Sequence, residues 1–179
     1  MRWPILILSV AMLIAAGPAT QPATQPIKLK TFTGNQFTLD YPEEWTVLDH
    51  PVNYQVFSMQ TEPVNKADRN LGVMGLRIDT GPATGSDAEI LKDVSGGMVE
   101  LLFNHGAKNT TVKPDKLGDI PARRIRVDTD QPTGSTTAIY IVAVHHRTEY
   151  VFTIAAPSDQ IEKMLPKVEA VLKSFKVLE

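Results

Sequence analysis

The chain has 179 residues, of which 42% are hydrophobic, and its formal net charge is -2. A chain of this length suits one domain that buries about 70% of the surface of its unfolded state. It contains no cysteine, which excludes disulfides, thiolate metal sites, a cysteine nucleophile and the lipid-bearing cysteine of bacterial lipoproteins. The small net charge creates no field for nucleic acid or anionic lipid, so neither is expected as a partner.

The N-terminal segment is predicted to be an export signal. Arg2 precedes an apolar run over residues 3–16, which is shorter than the ~20 residues that cross a bilayer. Small residues after this run permit cleavage, so residues 1–17 are predicted to be a signal peptide, with an uncleaved N-terminal anchor as the alternative. The domain is therefore expected outside the cytoplasmic membrane, periplasmic or secreted, without a stable membrane span once the leader is removed.

Residues 18–27 are predicted to be a spacer, because the tetrad Pro-Ala-Thr-Gln repeats there without any large apolar side chain. Such a segment cannot bury a core and is expected to run extended. The remaining residues, 28–179, are predicted to form a single domain.

The first half of this domain is predicted to contain five strands and a helix. Turn residues separate β-branched and aromatic runs at 28–33, 37–41, 46–48, 54–60 and 71–78. Trp45 is expected in the core. Ser86 and Glu89 then form a capping box ahead of apolar residues at helical spacing, and Gly106 ends the helix. Within it, the segment Ser95-Gly-Gly97 predicts a local break or a close contact with a sheet.

The second half is predicted to be an antiparallel meander followed by a helix. Strands are expected at 108–113 and 120–128 and in both arms of a hairpin over 136–156, and their connections are short. Both faces of the hairpin are apolar, which indicates a central position in a sheet covered on both sides. Residues 161–175 place apolar side chains on one helix face. Pro166 predicts either a kink there or a short turn before a helix that begins near Leu165.

Three segments carry a resemblance to a known family: Phe-Thr-Leu-Asp-Tyr-Pro-Glu-Glu-Trp-Thr-Val at 37–47, Gly-Asp-Ile-Pro-Ala-Arg-Arg at 118–124, and Tyr-Val-Phe-Thr-Ile-Ala-Ala at 150–156 before a helix that ends Lys-Ser-Phe-Lys. Over about residues 28–178 the chain resembles the PsbP-like superfamily, especially its bacterial exported branch with the DcrB-related domains. The resemblance implies an α+β fold, a three-layer α/β/α sandwich around a central antiparallel sheet. It implies no single activity, and members of the fold that include an extrinsic photosystem II subunit and a nuclear-transport factor work by binding. The missing lipobox cysteine argues against a lipid tether.

Two polar clusters are candidate sites. His145, His146 and Glu149 lie at the tip of the hairpin, and histidine with carboxylate is the raw material of a metal site. Adjacent strand residues point to opposite faces, so an ordinary polar turn is the competing interpretation. His50 and His105 are isolated in the sequence and are predicted to be loop residues.

The second cluster consists of Arg124 and Arg126, which share a strand face with Asp128 and could hold a carboxylate or phosphate of a partner. Alternatively, these arginines lie at a solvated strand edge, where their stems cover apolar surface.

The predicted function is a non-enzymatic protein-interaction or assembly domain of the cell envelope, with another envelope protein as its partner and no cofactor. No nucleophile set and no helical zinc motif is recognisable in the sequence. A carrier of a small hydrophobic ligand or lipid is the first alternative, and it requires a cavity lined by residues such as Phe152, Ile154 and Phe175. A metal-dependent enzyme is the second alternative.

Overall fold

A computed structural model describes residues 26–48, 56–61, 72–80, 84–131 and 134–178 of the chain. The predicted leader lies outside these residues, as does the spacer except for its last two positions. His50 and the first residues of two predicted strands, at 54–55 and 71, also lie outside them.

The described elements follow the predicted order, and each predicted strand and helix is present. In chain order they are β1 (Leu29–Thr33), β2 (Phe37–Pro42), β3 (Thr46–Val47), β4 (Phe57–Gln60), β5 (Val73–Thr80), α1 (Asp87–Asn104), β6 (Lys108–Leu117), β7 (Ile120–Gln131), β8 (Gly134–His145), β9 (Thr148–Pro157), α2 (Ile161–Ser174) and β10 (Lys176–Val177). The sequence did not predict β10.

Seven strands form the main sheet in the order β3-β4-β5-β9-β8-β7-β6. Every neighbouring pair in it is antiparallel, and β6 to β9 are successive neighbours, so the predicted meander is confirmed. The chain leaves β5 in the middle of the sheet, passes through α1 and returns at β6 on the edge. The predicted hairpin therefore occupies the centre of the sheet, as its two apolar faces required.

Apolar side chains of β8 and β9 alternate between two separate cores. One core lies on the side of α2 and includes Ile139, Ile141, Phe152 and Ile154. The other core lies against α1 and includes Ile125, Val142, Val144 and Val151. The three-layer α/β/α arrangement is thus confirmed, and each fully buried side chain of this kind contributes about 1.5–3 kcal/mol relative to an exposed one.

A second sheet of three strands, in the order β1-β2-β10, packs on the α2 side. The end of α2 is attached to it by Ser174, whose hydroxyl oxygen accepts the backbone N–H of Asp40 at 2.7 Å. Phe175 follows at 2% exposure, and its ring centroid lies 5.8 Å from that of Phe37. The Ser-Phe pair of the resemblance therefore joins the two sheets by packing. Trp45 is buried, as predicted.

Helix α1 confirms the predicted start and end but not the predicted role of its glycines. Ser86 and Glu89 form the capping box, and Gly106 adopts a φ of 81° just beyond the helix. The helix runs unbroken through Gly96 and Gly97, and a Cβ built on either would meet nothing within 4 Å. Both the predicted break and the predicted close contact are wrong, because these glycines face solvent.

Helix α2 begins at Ile161, four residues before the predicted start at Leu165, and Pro166 lies inside it. The short turn that was offered for Pro166 is therefore wrong. Burial of the apolar face of α2 against the sheet offsets the hydrogen bond that proline cannot donate; that face comprises Ile161, Met164, Val168, Val171 and Leu172. Neither described helix has the length and apolarity that a membrane crossing requires.

Candidate functional site

Arg124 lies on the α2 face of β7, where two carboxylates of the same chain hold it. Its Nε donates to Asp115 of β6 at 2.6 Å, and its Nη2 lies 2.6 Å from Glu169 of α2. Partial burial opposes the charged form, but the bonds to Glu169 and Asp115 prevail and raise the pKa of the guanidinium. Arg124 thus connects the edge strand to α2.

Arg126 shares this face, as predicted, and is more exposed. Its Nη1 lies 2.5 Å from Glu162 of α2, and its Nε lies 4.0 Å from Asp128. Both arginines line a groove of about 460 Å³ between α2 and strands β6 and β7. An external anion in this groove would compete with carboxylates that already neutralise the arginines.

The tip of the central hairpin is a two-residue turn formed by His146 and Arg147. Their φ values are 48° and 62°, and positive φ at both central residues is the signature of a type I′ turn. The rings of His145 and His146 stack with centroids 4.0 Å apart. The turn therefore brings the two histidines together despite the alternation of side chains along a strand.

Glu149, the third residue of the predicted tip cluster, has other neighbours. It pairs in register with Asp79 of β5. Burial raises the pKa of Glu149, Asp79 raises it further, and Arg77 opposes the shift. Within the described part of the chain, no group of three or more metal-ligating side chains comes together. His105 caps the end of α1, where its Nδ1 lies 2.8 Å from the carbonyl oxygen of Leu101.

Asp87, the first residue of α1, attaches the hairpin tip to this helix. Its carboxylate accepts the backbone N–H of His146 at 3.0 Å and that of Arg147 at 3.1 Å. A residue other than glycine in the left-handed region costs on the order of 1 kcal/mol or more. Two hydrogen bonds to a charged acceptor offset part of this cost, so Asp87 holds the turn in a fixed place.

A pocket of about 330 Å³ lies beside this attachment, between the start of α1 and strands β7 and β8. We call it the tip pocket. Its apolar lining consists of Ala88, Leu91, Ile120, Pro121 and Val144, and its polar lining of Asp87, Lys92, Arg123 and His145.

Arg123 distinguishes the tip pocket from the groove at α2. It is half-buried on the α1 face of β7, because it alternates with Arg124. Among the residues that the structure describes, the side chains of Arg123 and Lys92 form no ion pair and no hydrogen bond; the backbone carbonyl of Lys92 accepts the hydroxyl of Ser95 at 3.1 Å.

Arg123 was predicted to lie in the same strand as Arg124 and Arg126, but only those two were predicted to be site residues. The sequence does contain a signal for Arg123. This residue lies two and four positions before the buried residues Ile125 and Val127, and strand alternation places all three on the same face.

The side chains proposed for a carrier cavity instead fill the core. Phe152 and Ile154 are fully buried and Phe175 is nearly so. The ring centroids of Phe152 and Phe175 lie 5.6 Å apart, edge to face. These residues pack on one another in the layer where the carrier would need space.

The PsbP family model matches residues 27–177. No curated protein sequence matches the chain. Solved structures with the same fold include LpqN of Mycobacterium tuberculosis, described as involved in cell envelope biogenesis. It is 14% identical, with 86% of this chain and 92% of LpqN covered at a TM-score of 0.58.

Two further solved structures are similar at lower identity. One is the cyanobacterial PsbP protein of Synechocystis, with 11% identity, coverage of 90% of this chain and 99% of that one, and a TM-score of 0.56. The other is the Ran-binding protein Mog1p of Saccharomyces cerevisiae, with 10% identity, coverage of 86% and 97%, and a TM-score of 0.57. At these identities the likeness concerns the fold.

Proposed function

Because the chain belongs to the PsbP family, we propose that it is an exported, non-enzymatic protein-interaction domain of the cell envelope. The observation that carries the proposal is the tip pocket, where apolar side chains meet a guanidinium that has no partner among the described residues. A concave apolar surface with few polar groups is the usual form of a recognition site.

Two of the structural relatives support a binding role and a place in the envelope. LpqN is described as involved in cell envelope biogenesis, and Mog1p is described as a Ran-binding protein. Since one fold hosts many functions, these descriptions support the proposal as analogies only. The predicted signal peptide supplies the route by which the chain would leave the cytoplasm.

The proposal is tested by crosslinking the tagged full-length chain in its native cells and purifying it from separate cell fractions. We expect a single envelope protein to copurify in a fixed ratio, and the pair to re-form from purified components. N-terminal sequencing should show loss of residues 1 to about 17, within the window that a signal peptidase leaves.

Two results would contradict this function, and a third would contradict the predicted removal of the leader. Turnover of a substrate by the purified chain in hydrolase screens, without any reconstituted partner, would indicate an enzyme. A hydrophobic ligand that remains bound in native mass spectrometry would indicate a carrier. Intact Met1 in a membrane fraction would indicate that the N-terminal segment is kept as an anchor and is not removed as a signal peptide.

A further inference from the structure

We propose that the tip pocket binds the C-terminal residue of a partner protein, with its apolar side chain in the pocket and its free carboxylate on Arg123. This inference rests on the proposed protein-interaction function and specifies the contact that it would use.

The size and lining of the pocket favour one apolar side chain as the occupant. A volume of about 330 Å³ is at the low end of the ~300–1,000 Å³ of small-ligand sites. Leu91, Ile120 and Val144 come from α1, β7 and β8 respectively, so three elements surround the occupant. A single leucine- or phenylalanine-sized group suits this enclosure better than a long acyl chain.

The charges around the pocket favour an anion beside that side chain. Arg123 and Lys92 have no carboxylate partner among the described residues, whereas Arg124 on the opposite face has two, at 2.6 Å each. Asp87 is the one acid among the described residues of the lining, and the N–H groups of the hairpin turn already occupy its two oxygens. The planar fork of a guanidinium matches a carboxylate in two parallel hydrogen bonds.

A C-terminus fits this arrangement better than an internal acidic residue does. In an extended segment, neighbouring side chains point to opposite sides, so an acidic residue next to the apolar one would point away from the pocket. At a C-terminus the carboxylate and the side chain leave the same Cα atom. Both can therefore reach Arg123 and the apolar lining at once.

The attachment of the hairpin tip by Asp87 prepares the pocket for its ligand. It fixes β8 relative to α1, so the walls that carry Val144 and Leu91 are held in place before binding. Preorganisation of this kind reduces the loss of freedom that binding would otherwise require.

The test uses the full-length chain labelled with ¹⁵N and three synthetic pentapeptides. The first is acetyl-Gly-Ser-Gly-Ser-Phe with a free carboxylate, the second is the same peptide as its C-terminal amide, and the third is acetyl-Gly-Ser-Phe-Glu-Gly amide. We expect the first peptide to shift the amide signals of Leu91, Arg123 and Val144 saturably. The other two should bind at least about fivefold more weakly, because each lacks the carboxylate on the apolar residue.

Variants assign the effect to the cations of the tip pocket. Arg123→Gln should abolish the preference for the free carboxylate, and Lys92→Gln should weaken binding about two- to threefold, since Lys92 is exposed and its charge is screened. Arg126→Gln and Lys173→Gln remove the same kinds of charge on the α2 side of the sheet, away from the pocket, and should change nothing. Thermal unfolding of each variant checks that it is folded. If Arg123→Gln does not fold, the weaker binding expected of Lys92→Gln still tests the pocket.

Several results would overturn the inference. They are equal binding of the acid and the amide, shifts confined to another surface, or displacement of the peptide by a copurified lipid. If Arg123→Gln still captures the envelope partner at full yield, the pocket assignment fails while the proposed function stands. If the peptide binds as expected but no partner is captured from the envelope, the proposed function fails and the pocket chemistry stands.

Discussion

The neighbouring residues Arg123 and Arg124 of β7 lie on opposite faces of the sheet and have different surroundings. Arg124 is held by Asp115 and Glu169, whereas Arg123 faces the tip pocket without a described partner. The alternation of a strand creates this difference, since a shift of one position moves a side chain from one layer to the other. The charge of each residue is the same, but Arg124 stabilises the fold and Arg123 remains available.

Arg124→Gln should lower the free energy of unfolding by about 1–2 kcal/mol, because it leaves the partly buried carboxylates of Asp115 and Glu169 without the cation that they share. The partial exposure of the group keeps the cost below that of a fully buried pair. Arg126→Gln is the matched control and should cost under ~0.5 kcal/mol, since its partner Glu162 is largely exposed. Urea denaturation of both variants measures the two losses of unfolding free energy. Equal losses would contradict the stabilising role assigned to Arg124.

Glu149 gives the fold a dependence on pH. Because burial and then Asp79 raise its pKa in the folded state, the folded state binds the proton more tightly than the unfolded chain does. Stability should therefore fall as pH rises through the window between the unfolded and folded pKa values. Glu149→Gln should be more stable than the unmodified chain at pH 7 and lose this advantage below about pH 4.

Chemical denaturation at both pH values checks this expectation for Glu149. Glu100→Gln, on the exposed side of α1, controls for the loss of one negative charge. An advantage of Glu149→Gln that persists unchanged at the lower pH would contradict the linkage.

At the scale of elements, the turn between β6 and β7 is fixed by a close backbone contact. Gly118 has a φ of 57°, donates its N–H to the carbonyl oxygen of Leu172 at 2.8 Å, and has no room for a Cβ, which would lie 2.2 Å from the carbonyl oxygen of Phe175. The Gly-Asp-Ile-Pro segment of the family resemblance thus marks the place where this turn meets the end of α2.

Gly118→Ala should lower the free energy of unfolding by about 3 kcal/mol, because a backbone atom obstructs the methyl group and φ is positive. Gly97→Ala is the matched control in α1. It should raise the free energy of unfolding by about 0.5–1 kcal/mol, since its site is open and helical. Thermal and urea unfolding of both variants measure the expected loss and the expected gain of stability. A Gly118→Ala variant with unchanged stability would contradict the close backbone contact between Gly118 and Phe175.

The elements that the sequence mispredicted share a physical cause. The glycines of α1 and Pro166 of α2 were judged by local propensity, yet tertiary packing keeps both helices continuous. The pair Lys176–Val177 has no pattern of its own, and it becomes β10 only because β2 lies beside it. Local rules succeeded where the signal was long and periodic, as in β8 and β9.

The candidate sites show the same limit. The sequence correctly placed Arg124 and Arg126 on one face, but it could not identify Glu162 and Glu169 as their partners, because those residues lie about 36 to 45 positions away along the chain. The tip pocket combines residues of α1, β7 and β8 and depends on how the layers meet. No motif in a single segment encodes it.

At the scale of the whole molecule, stability should be concentrated at the centre of the main sheet. Strands β8 and β9 are paired on both sides and covered by both cores, whereas β1 and β6 lie at sheet edges. Hydrogen exchange should therefore be slowest for the inner amides of β8 and β9 and faster in β1 and in residues 108–113, which contain a register shift. Equal protection of the edge and central strands would contradict this layering.

The small sheet unites the two ends of the domain, since β10 pairs with β2 and the last turn of α2 is bonded to Asp40. A chain threaded through a translocation pore from its N-terminus would deliver β1 and β2 first and β10 last. Strands β1 and β2 would then emerge before β10, the third strand of their sheet. Phe37 could pack on the ring of Phe175 only after the end of α2 had emerged. Closure of the small sheet is thereby tied to the arrival of β10, so a nascent chain that still lacks this strand should remain accessible to a chaperone or a protease.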